Sequence, residues 1–407
     1  MNKYLLSGLM AVCLCCLSCE RIPGGTENHS FRAEKGMMDL RNVDFSKGPI
    51  ISLRGGWEFY WSRLVDPGEF KKTVPVPMTG HLDLPGLWNG YRADGKTLGG
   101  AGYATFRLLV RVPPGERLYG IKITEMESAY RLWVNGKLLA ETGVVGTTAA
   151  SARPSWERAE AYFHENAPVL DMVLQMSNFS HRKGGPEEVI RFGSGGSIAR
   201  YKSWRYGIEL FLVGSILIMG IYHLIIFMIR RTERSALYFS LLCFSVSLRT
   251  LLSGEKIFLD LFPGIDWGFH VAVEYLVLFV VVTAFTLFFY SMFREEMSRW
   301  VVRVVTAIAL LFGIIVLMSK PVFFTNLIIP YQVVLLSVGL YNIGATVVAV
   351  YRGKPGALVY LAGVVLLFIT IVSDVMYNTL LIDTSLLVPV STAIGLFVFI
   401  MSQSVIL

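Results

Sequence analysis

The feature that most constrains this chain is a series of seven apolar segments that fills its second half, from Tyr206 to Leu407. A run of about 20 apolar residues can cross the hydrocarbon core of a bilayer as a helix. Because no water is available there, the backbone must satisfy its own hydrogen bonds, which a helix does. The sequence therefore predicts a seven-transmembrane bundle over 206–407, with helices at Tyr206–Ile229, Ala236–Ser253, Trp267–Phe293, Val301–Met318, Phe323–Tyr351, Ala357–Leu381 and Leu386–Ile406.

Basic residues are distributed unevenly between the loops of this bundle. Cytoplasmic loops of membrane proteins carry more Lys and Arg than the loops on the other side. One set of alternate loops holds Arg230, Arg231, Arg234, Arg294, Arg299, Arg303, Arg352 and Lys354, whereas the other holds only Lys256 and Lys320. We therefore expect the residues before Tyr206 to lie outside the cytoplasm and the C-terminus to lie within it.

The composition agrees with a membrane protein, since 54% of the residues are hydrophobic and only 16% are charged. The net charge of +7 suits loops that face anionic membrane lipids. The sequence shows no basic patch interleaved with aromatic residues, so we expect no nucleic-acid partner.

The N-terminus resembles a secretory signal peptide over residues 1–18, with Lys3 before an apolar stretch at Leu5–Leu17. Cys19 follows Leu17-Ser18, an order similar to the lipidation site of bacterial lipoproteins. The alternative is an ordinary cleaved signal without lipidation. Residues 20–205 contain no cysteine, so the exported part is expected to fold without a disulfide.

Between the signal and the helices, the sequence predicts a polar linker at 20–48 and an all-β sandwich at 49–200. The second range consists of short apolar runs separated by Gly and Pro turns, and Asn135-Gly136 is a strong hairpin signal. Strands are predicted at Trp57–Trp61, Thr73–Val76, Tyr103–Val112, Leu118–Thr124, Ala129–Val134, Lys137–Glu141, Val169–Met176 and Val189–Phe192.

Two stretches of the β region resemble the jelly-roll sugar-binding domain of glycoside hydrolase family 2 and related galactose-binding-like modules. They are Gly102-Tyr103-Ala104-Thr105-Phe106 and Tyr130-Arg131-Leu132-Trp133-Val134-Asn135-Gly136. With the later Ile190-Arg191-Phe192-Gly193, Gly220-Ile221-Tyr222-His223 and Leu248–Glu255, the order resembles the bacterial seven-transmembrane receptors with diverse intracellular signalling modules. The resemblance covers 49–407.

This resemblance implies a receptor of the bacterial inner membrane, with a periplasmic β domain that senses a small molecule, often presumed to be a carbohydrate. It also implies a cytoplasmic effector, such as a histidine kinase, a nucleotide cyclase or a phosphatase domain. No such domain occurs up to Leu407, so the effector is expected either beyond Leu407 in a longer chain or as a separate protein. The oligomeric state stays open, with a homodimer as one option.

Three tryptophans are candidates for binding a saccharide: Trp88, Trp133 and Trp156. Aromatic rings can stack on the apolar faces of sugar rings. Trp88 and Trp156 lie in Gly- and Pro-rich stretches, where binding residues are common, whereas Trp133 alternates within a predicted strand, which favours a place in the core. The alternative is that all three rings pack in the protein interior.

Charged residues within the predicted helices are the second candidate site. Such charges are costly in a membrane and normally face a partner. Arg249, Glu274 and Asp374 lie near the outer ends of their helices, Glu209 lies at the outer mouth of the first, and His223 lies deeper. We expect Arg249 to pair with Glu274, Asp374 or both, as a coupling element or as a static ion pair that fixes helix packing.

The sequence lacks the motifs of nucleotide-binding loops, serine hydrolases, zinc proteases and dinucleotide-binding folds. We therefore expect a protein that is not an enzyme and that needs no cofactor or metal. The alternative to a receptor is a membrane carrier, or an accessory subunit whose β domain captures substrate. Transport sites lie near the bilayer midplane, so charges near the outer helix ends favour signalling.

Overall fold

The computed structural model describes residues 27–28, 30–123, 126–156, 159–378 and 391–404. The predicted signal peptide at 1–18 and Cys19 lie outside these residues. The chain divides into two compact units whose main boundary lies between Arg205 and Tyr206.

The first unit contains two main β-sheets. One has five strands in the order β1-β3-β14-β9-β12, and the other has the order β11-β10-β13-β8-β4-β5, with β2 paired to β8. The short strands β6 and β7 pair with each other. The strands are β1 (Glu27–Asn28), β2 (Met37–Asp39), β3 (Ile50–Ser52), β4 (Gly55–Trp61), β5 (Gly80–Leu84), β6 (Arg92–Ala93), β7 (Lys96–Thr97), β8 (Gly102–Arg111), β9 (Arg117–Ile123), β10 (Ala129–Val134), β11 (Lys137–Thr142), β12 (Ala159–Glu165), β13 (Val169–Asn178) and β14 (Ile190–Ser194).

The two sheets share one hydrophobic core. Phe59 and Phe106 come from the larger sheet and stack with their ring centroids 5.3 Å apart. Tyr119 and Phe192 come from the five-stranded sheet, and their rings stack at 5.1 Å. All four side chains belong to the same buried cluster. Because each sheet contributes one apolar face to that cluster, the predicted all-β sandwich is confirmed.

The predicted linker at 20–48 is wrong at Glu27–Asn28 and from Ser30 onward, because these residues belong to the sandwich. Strand β2 pairs in parallel with the end of β8. Leu40 is 0% exposed and Phe45 is 3% exposed, both within the core cluster. The prediction failed because the apolar residues of this segment are isolated among glycines and charges, so their alternation is too short to recognise.

The strand predicted at Thr73–Val76 is also wrong. The segment is irregular between a short 3-10 turn at Glu69–Lys71 and β5, and Val74 is 78% exposed. Pro75 and Pro77 lack the N–H that a sheet needs, which explains why Val74 and Val76 beside them do not pair in a strand.

The second unit is helical. Its long helices are α1 (Gly195–Ile229), α2 (Arg234–Leu252), α3 (Trp267–Met292), α4 (Arg299–Met318), α5 (Ile328–Tyr351), α6 (Ala357–Asn378) and α7 (Ser391–Ser404). Six helical spans in the described part of the chain are long and apolar enough to cross a membrane, and α7 is a shorter apolar helix. Six of the predicted spans therefore match membrane-length helices, while the seventh, Leu386–Ile406, extends past the described residues at both ends.

Helix α1 begins at Gly195, before the Tyr206 that the sequence predicts and inside the predicted β range of 49–200. Ser194 explains the early start, because its Oγ accepts a hydrogen bond from the Ser197 N–H at 3.3 Å. In the first turns, Ile198 forms a buried cluster with Ile50 of β3. Gly120 of β9 permits this approach, since a Cβ there would lie 2.9 Å from the Ile198 Cβ.

Charged groups also hold these first turns of α1 on the β-sandwich. Lys202 forms an ion pair with Glu160 of β12 at 2.7 Å, and the same carboxylate lies 3.5 Å from the fully buried Lys122. The Arg191 guanidinium lies 5.2 Å from the centre of the Tyr201 ring. The start of α1 is therefore fixed to the outer face of the five-stranded sheet.

Two loops of the helical unit contact each other. Lys354, after α5, forms an ion pair with Glu295, after α3, at 2.6 Å, and Arg352 forms one with Glu296 at 3.2 Å. The hydrogen bond from Lys354 lowers the pKa of the Glu295 carboxyl. These loops are two of the three basic loops in the sequence, so their contact agrees with a shared side of the bundle.

Candidate functional site

Trp88 belongs to the core of the sandwich, so its predicted role in stacking on a sugar is wrong. The side chain is 0% exposed, and its Nε1–H donates to the Gly100 carbonyl at 3.1 Å. Its ring stacks over Phe106 at 6.3 Å. Gly184 packs so closely that a Cβ there would lie 2.3 Å from the Trp88 Nε1. A ring enclosed in this way offers no face to a ligand.

Trp133 lies on the opposite face of its strand from the core. Its neighbours Leu132 and Val134 are buried, whereas Trp133 is only partly buried. The sequence predicted the wrong environment for Trp88, because a Gly- and Pro-rich loop can still pass through a core. It also predicted the wrong one for Trp133, because alternation along a strand does not by itself show which of its two faces is buried. Trp156 is partly buried in the loop before β12. Binding by Trp133 and Trp156 stays a prediction.

The outer face around the centre of the larger sheet is covered by a loop of the same domain. Arg107 of β8 forms a bidentate pair with Asp171 of β13, with both distances at 2.9 Å. The Phe70 ring covers this guanidinium at 4.4 Å. The Thr105 hydroxyl donates to the Arg63 carbonyl at 2.8 Å. The loop between β4 and β5 therefore excludes a ligand from the centre of this face.

The helical unit brings together Arg249 and Glu274, as the sequence predicts. The Arg249 Nη1 lies 3.3 Å from the Glu274 Oε1 and 3.3 Å from the Glu274 carbonyl oxygen. Their side chains are 31% and 19% exposed. Arg249 lies three residues before the end of α2 and Glu274 seven after the start of α3, so the pair is near one end of both helices.

Glu209 lies in a second polar contact at the turn that follows α2. Both of its carboxylate oxygens accept from the Glu255 N–H, at 3.1 and 2.9 Å. Glu209 is 1% exposed. Gly254, at a φ of +64°, lets the turn approach, because a Cβ there would lie 2.5 Å from the Glu209 Oε1. The carboxylate therefore ties α1 to the end of α2.

The other two predicted residues of this cluster occupy different environments. His223 is 1% exposed, with its Nδ1 2.9 Å from the Met219 carbonyl one turn earlier. Its ring contacts that of Phe239 on α2 at 4.4 Å, so it packs α1 against α2. Asp374 is partly buried on α6, and its pairing with Arg249 stays a prediction.

Sequence reasoning left Glu255, Lys256 and His270 out of this cluster, although all three are buried. Their exposed fractions are 0%, 2% and 0%. The His270 Nε2 lies 3.3 Å from the Leu252 carbonyl, at the last residue of α2. The signal that could have found Glu255 and Lys256 is their position directly after Gly254, because a glycine just past a helix end closes the last turn and keeps the next residues beside it.

Comparison with known families decides the class of the helical unit. Residues 205–407 match the family described as 7TM diverse intracellular signalling. The chain belongs to this family. Members of the 7TM diverse intracellular signalling family are multi-pass membrane proteins of sensor type, and the six membrane-length helices found within the described residues agree with that class. No curated protein matches the chain.

Several solved structures show a distant similarity that covers 36% of this chain. They include a GH2 beta-galacturonidase from Eisenbergiella tayi (10% identity, 24% of that chain, TM-score 0.25). A beta-glucuronidase from Ruminococcus gnavus has 12% identity over 28% of its chain, with a TM-score of 0.27. A beta-glucuronidase from an uncultured Clostridium sp. has 14% identity over 29%, with a TM-score of 0.28. The chain thus spans less than a third of the length of these enzymes. TM-scores this low show neither a shared fold nor a shared function.

Proposed function

We propose that this chain is a transmembrane signalling receptor that binds a small molecule of the saccharide class through its periplasmic β-sandwich. Binding favours one arrangement of the helices, and a cytoplasmic effector, a kinase, cyclase or phosphatase domain, reads that arrangement. The observation that carries the proposal is the match of residues 205–407 to a family defined by intracellular signalling.

Two features of the structure support a relay. Helix α1 runs as one helix from Gly195, directly after the last strand, to Ile229, so the chain passes from the sandwich to the first membrane-spanning segment within one helix. The polar contacts of Arg249 and Glu209 link α1, α2 and α3 near the end of α2 and the start of α3. A ligand shifts such an assembly only if its affinity differs between two arrangements.

The proposed location is the bacterial inner membrane, with the C-terminus in the cytoplasm. The basic loops support this orientation by the positive-inside rule, and two of them contact each other. A green fluorescent protein fused after Leu407 should fluoresce in cells, whereas a periplasmic alkaline phosphatase fused there should be inactive. The opposite pattern would contradict the orientation.

The test of the receptor function uses the full chain in lipid nanodiscs and a panel of neutral and acidic monosaccharides. Hydrogen–deuterium exchange is measured in the basic loops at 230–233, 293–298 and 352–356. A receptor should show ligand-dependent exchange there without moving the ligand across the membrane. Uptake of a radiolabelled monosaccharide into proteoliposomes, with unchanged exchange in the loops, would instead support a carrier.

A further inference from the structure

A cavity of about 240 Å³ lies where β9 begins and β14 ends. It is lined by Phe45, Ser46, Arg117, Leu118, Tyr119 and Ser194. Pockets for drug-sized ligands have volumes of roughly 300–1,000 Å³. This cavity is slightly smaller and therefore suits a molecule with a single ring.

Tyr119 gives the cavity an aromatic wall and an unused hydrogen-bonding group. The residue is 1% exposed, and its ring stacks on Phe192 and meets Phe45 edge-on at 5.6 Å. Among the described residues, its buried hydroxyl has no hydrogen-bond partner. A buried polar group without a partner costs about 1–3 kcal/mol, so such a group calls for an explanation. A ligand hydroxyl would supply the missing partner.

Arg117 gives the cavity a cation. Its Nε is buried without a hydrogen-bond partner among the described residues. The carboxylates near it are used elsewhere. Asp44 accepts from the Ser46 N–H at 3.0 Å, and Glu165 accepts from the Asn135 side chain at 2.9 Å.

We propose that this cavity is the sensory site of the receptor and that it binds an acidic monosaccharide. Arg117 would bind the carboxylate, since a guanidinium matches the geometry of that group. Tyr119 would hydrogen-bond to a ring hydroxyl. The inference rests on the proposed function and identifies the site and the ligand class of that receptor.

The position of Ser194 explains how occupancy would reach the membrane. Ser194 lines the cavity and is also the residue before α1, where its hydroxyl lies 2.6 Å from that of Ser197. A ligand that displaces either hydroxyl changes the cap of the helix that forms the first membrane-spanning segment. The site therefore adjoins the element that would carry the signal.

The test measures binding of glucuronate and of glucose, its neutral counterpart, to the full chain in nanodiscs by calorimetry. Glucuronate should bind at least tenfold more tightly than glucose. Arg117→Gln should weaken glucuronate binding at least tenfold, and Tyr119→Phe should weaken it several-fold without lowering the Tm of the free protein. Arg131→Gln is the control, because it changes a cationic residue on another surface that pairs with Glu141, and it should leave the affinity unchanged. Trp133→Ala tests the other candidate site for a saccharide.

Three results would overturn the inference. Equal affinity for glucose and glucuronate would refute the acidic ligand class, as would no binding of glucuronate at all. Loss of binding in Trp133→Ala but not in Arg117→Gln or Tyr119→Phe would refute the site. Failure of the receptor function itself is distinguishable, because glucuronate would then bind with the predicted dependence on Arg117 while exchange in the loops stays unchanged.

Discussion

Arg249 of α2 and Glu274 of α3 form an ion pair in which the guanidinium also lies 3.3 Å from the main-chain oxygen of its partner. The two residues therefore join neighbouring helices through a charged contact and a backbone contact at once. A charge in a membrane helix is costly unless a partner compensates it. The pair thus favours helix arrangements in which these two ends stay together.

Reversing the charges of this pair tests its role. Arg249→Glu and Glu274→Arg should each lower the Tm and abolish any ligand-dependent exchange in the basic loops, because each leaves two like charges together. The double variant should recover part of both losses, with a coupling free energy of roughly 0.5–3 kcal/mol. Thermal unfolding in nanodiscs supplies the stabilities for this double-mutant cycle. If the stability change of the double variant equals the sum of the two single changes, the pairing is contradicted.

Gly254→Ala should destabilise the helical unit more than Gly264→Ala. Both glycines have positive φ, +64° and +85°, so alanine is strained at either position. At Gly254 the new Cβ would also lie 2.5 Å from the Glu209 Oε1, whereas nothing lies within 4 Å of a Cβ at Gly264. The difference in Tm between the variants measures the cost of displacing Glu209 from the Glu255 N–H, and equal losses would show that this contact adds no stability.

Trp88→Ala should destabilise the sandwich by about 3–5 kcal/mol, because it empties a large part of a packed core. Trp133→Ala should cost much less, since that ring is only partly buried outside the core. Denaturant unfolding of the full chain, monitored by hydrogen exchange of the β-strand amides, compares the stabilities of the two variants. A larger loss for Trp133→Ala would contradict the placement of these rings.

Glu165 should make the stability of the sandwich depend on pH in the acid range. A hydrogen bond from Asn135, with further bonds from the Asn166 and Ala167 N–H groups, lowers the pKa of this carboxyl in the folded state below its ordinary 4.5. The stabilisation is therefore present above that ordinary value and is lost as the pH falls through the folded pKa.

Glu165→Gln is the matched variant for this effect, because it keeps the shape of the side chain and removes the titration. The variant should be less stable than the natural chain at pH 7, and the difference should shrink as the pH falls below about 4. Thermal unfolding at a series of pH values measures it. A difference that does not change between pH 7 and pH 3 would contradict the assignment.

Several parts of this protein follow from local sequence pattern. A membrane-length apolar run has little choice but to be a helix, so α2 and α3 lie within two residues of their predicted bounds. The Asn135-Gly136 hairpin depends on a backbone conformation that few residue pairs adopt, and β10 begins and ends where predicted. The pairing of Arg249 with Glu274 could be predicted from the sequence, because a charge in a membrane helix requires a partner at a similar depth in the bilayer.

The tertiary structure decided whatever depends on residues distant in sequence. Trp88 is core because Gly184 and Phe106 enclose it, and its polar neighbours in sequence give no sign of this. The segment before β3 joins the sandwich because Leu40 and Phe45 meet an apolar face formed much later in the chain. Tyr119 and Arg117 adjoin Phe45 and Ser194 only because the sheets bring strand ends together. The local pattern determined the helices and the hairpin, since their hydrogen bonds lie within a few residues, whereas burial and the cavity depend on which surfaces meet.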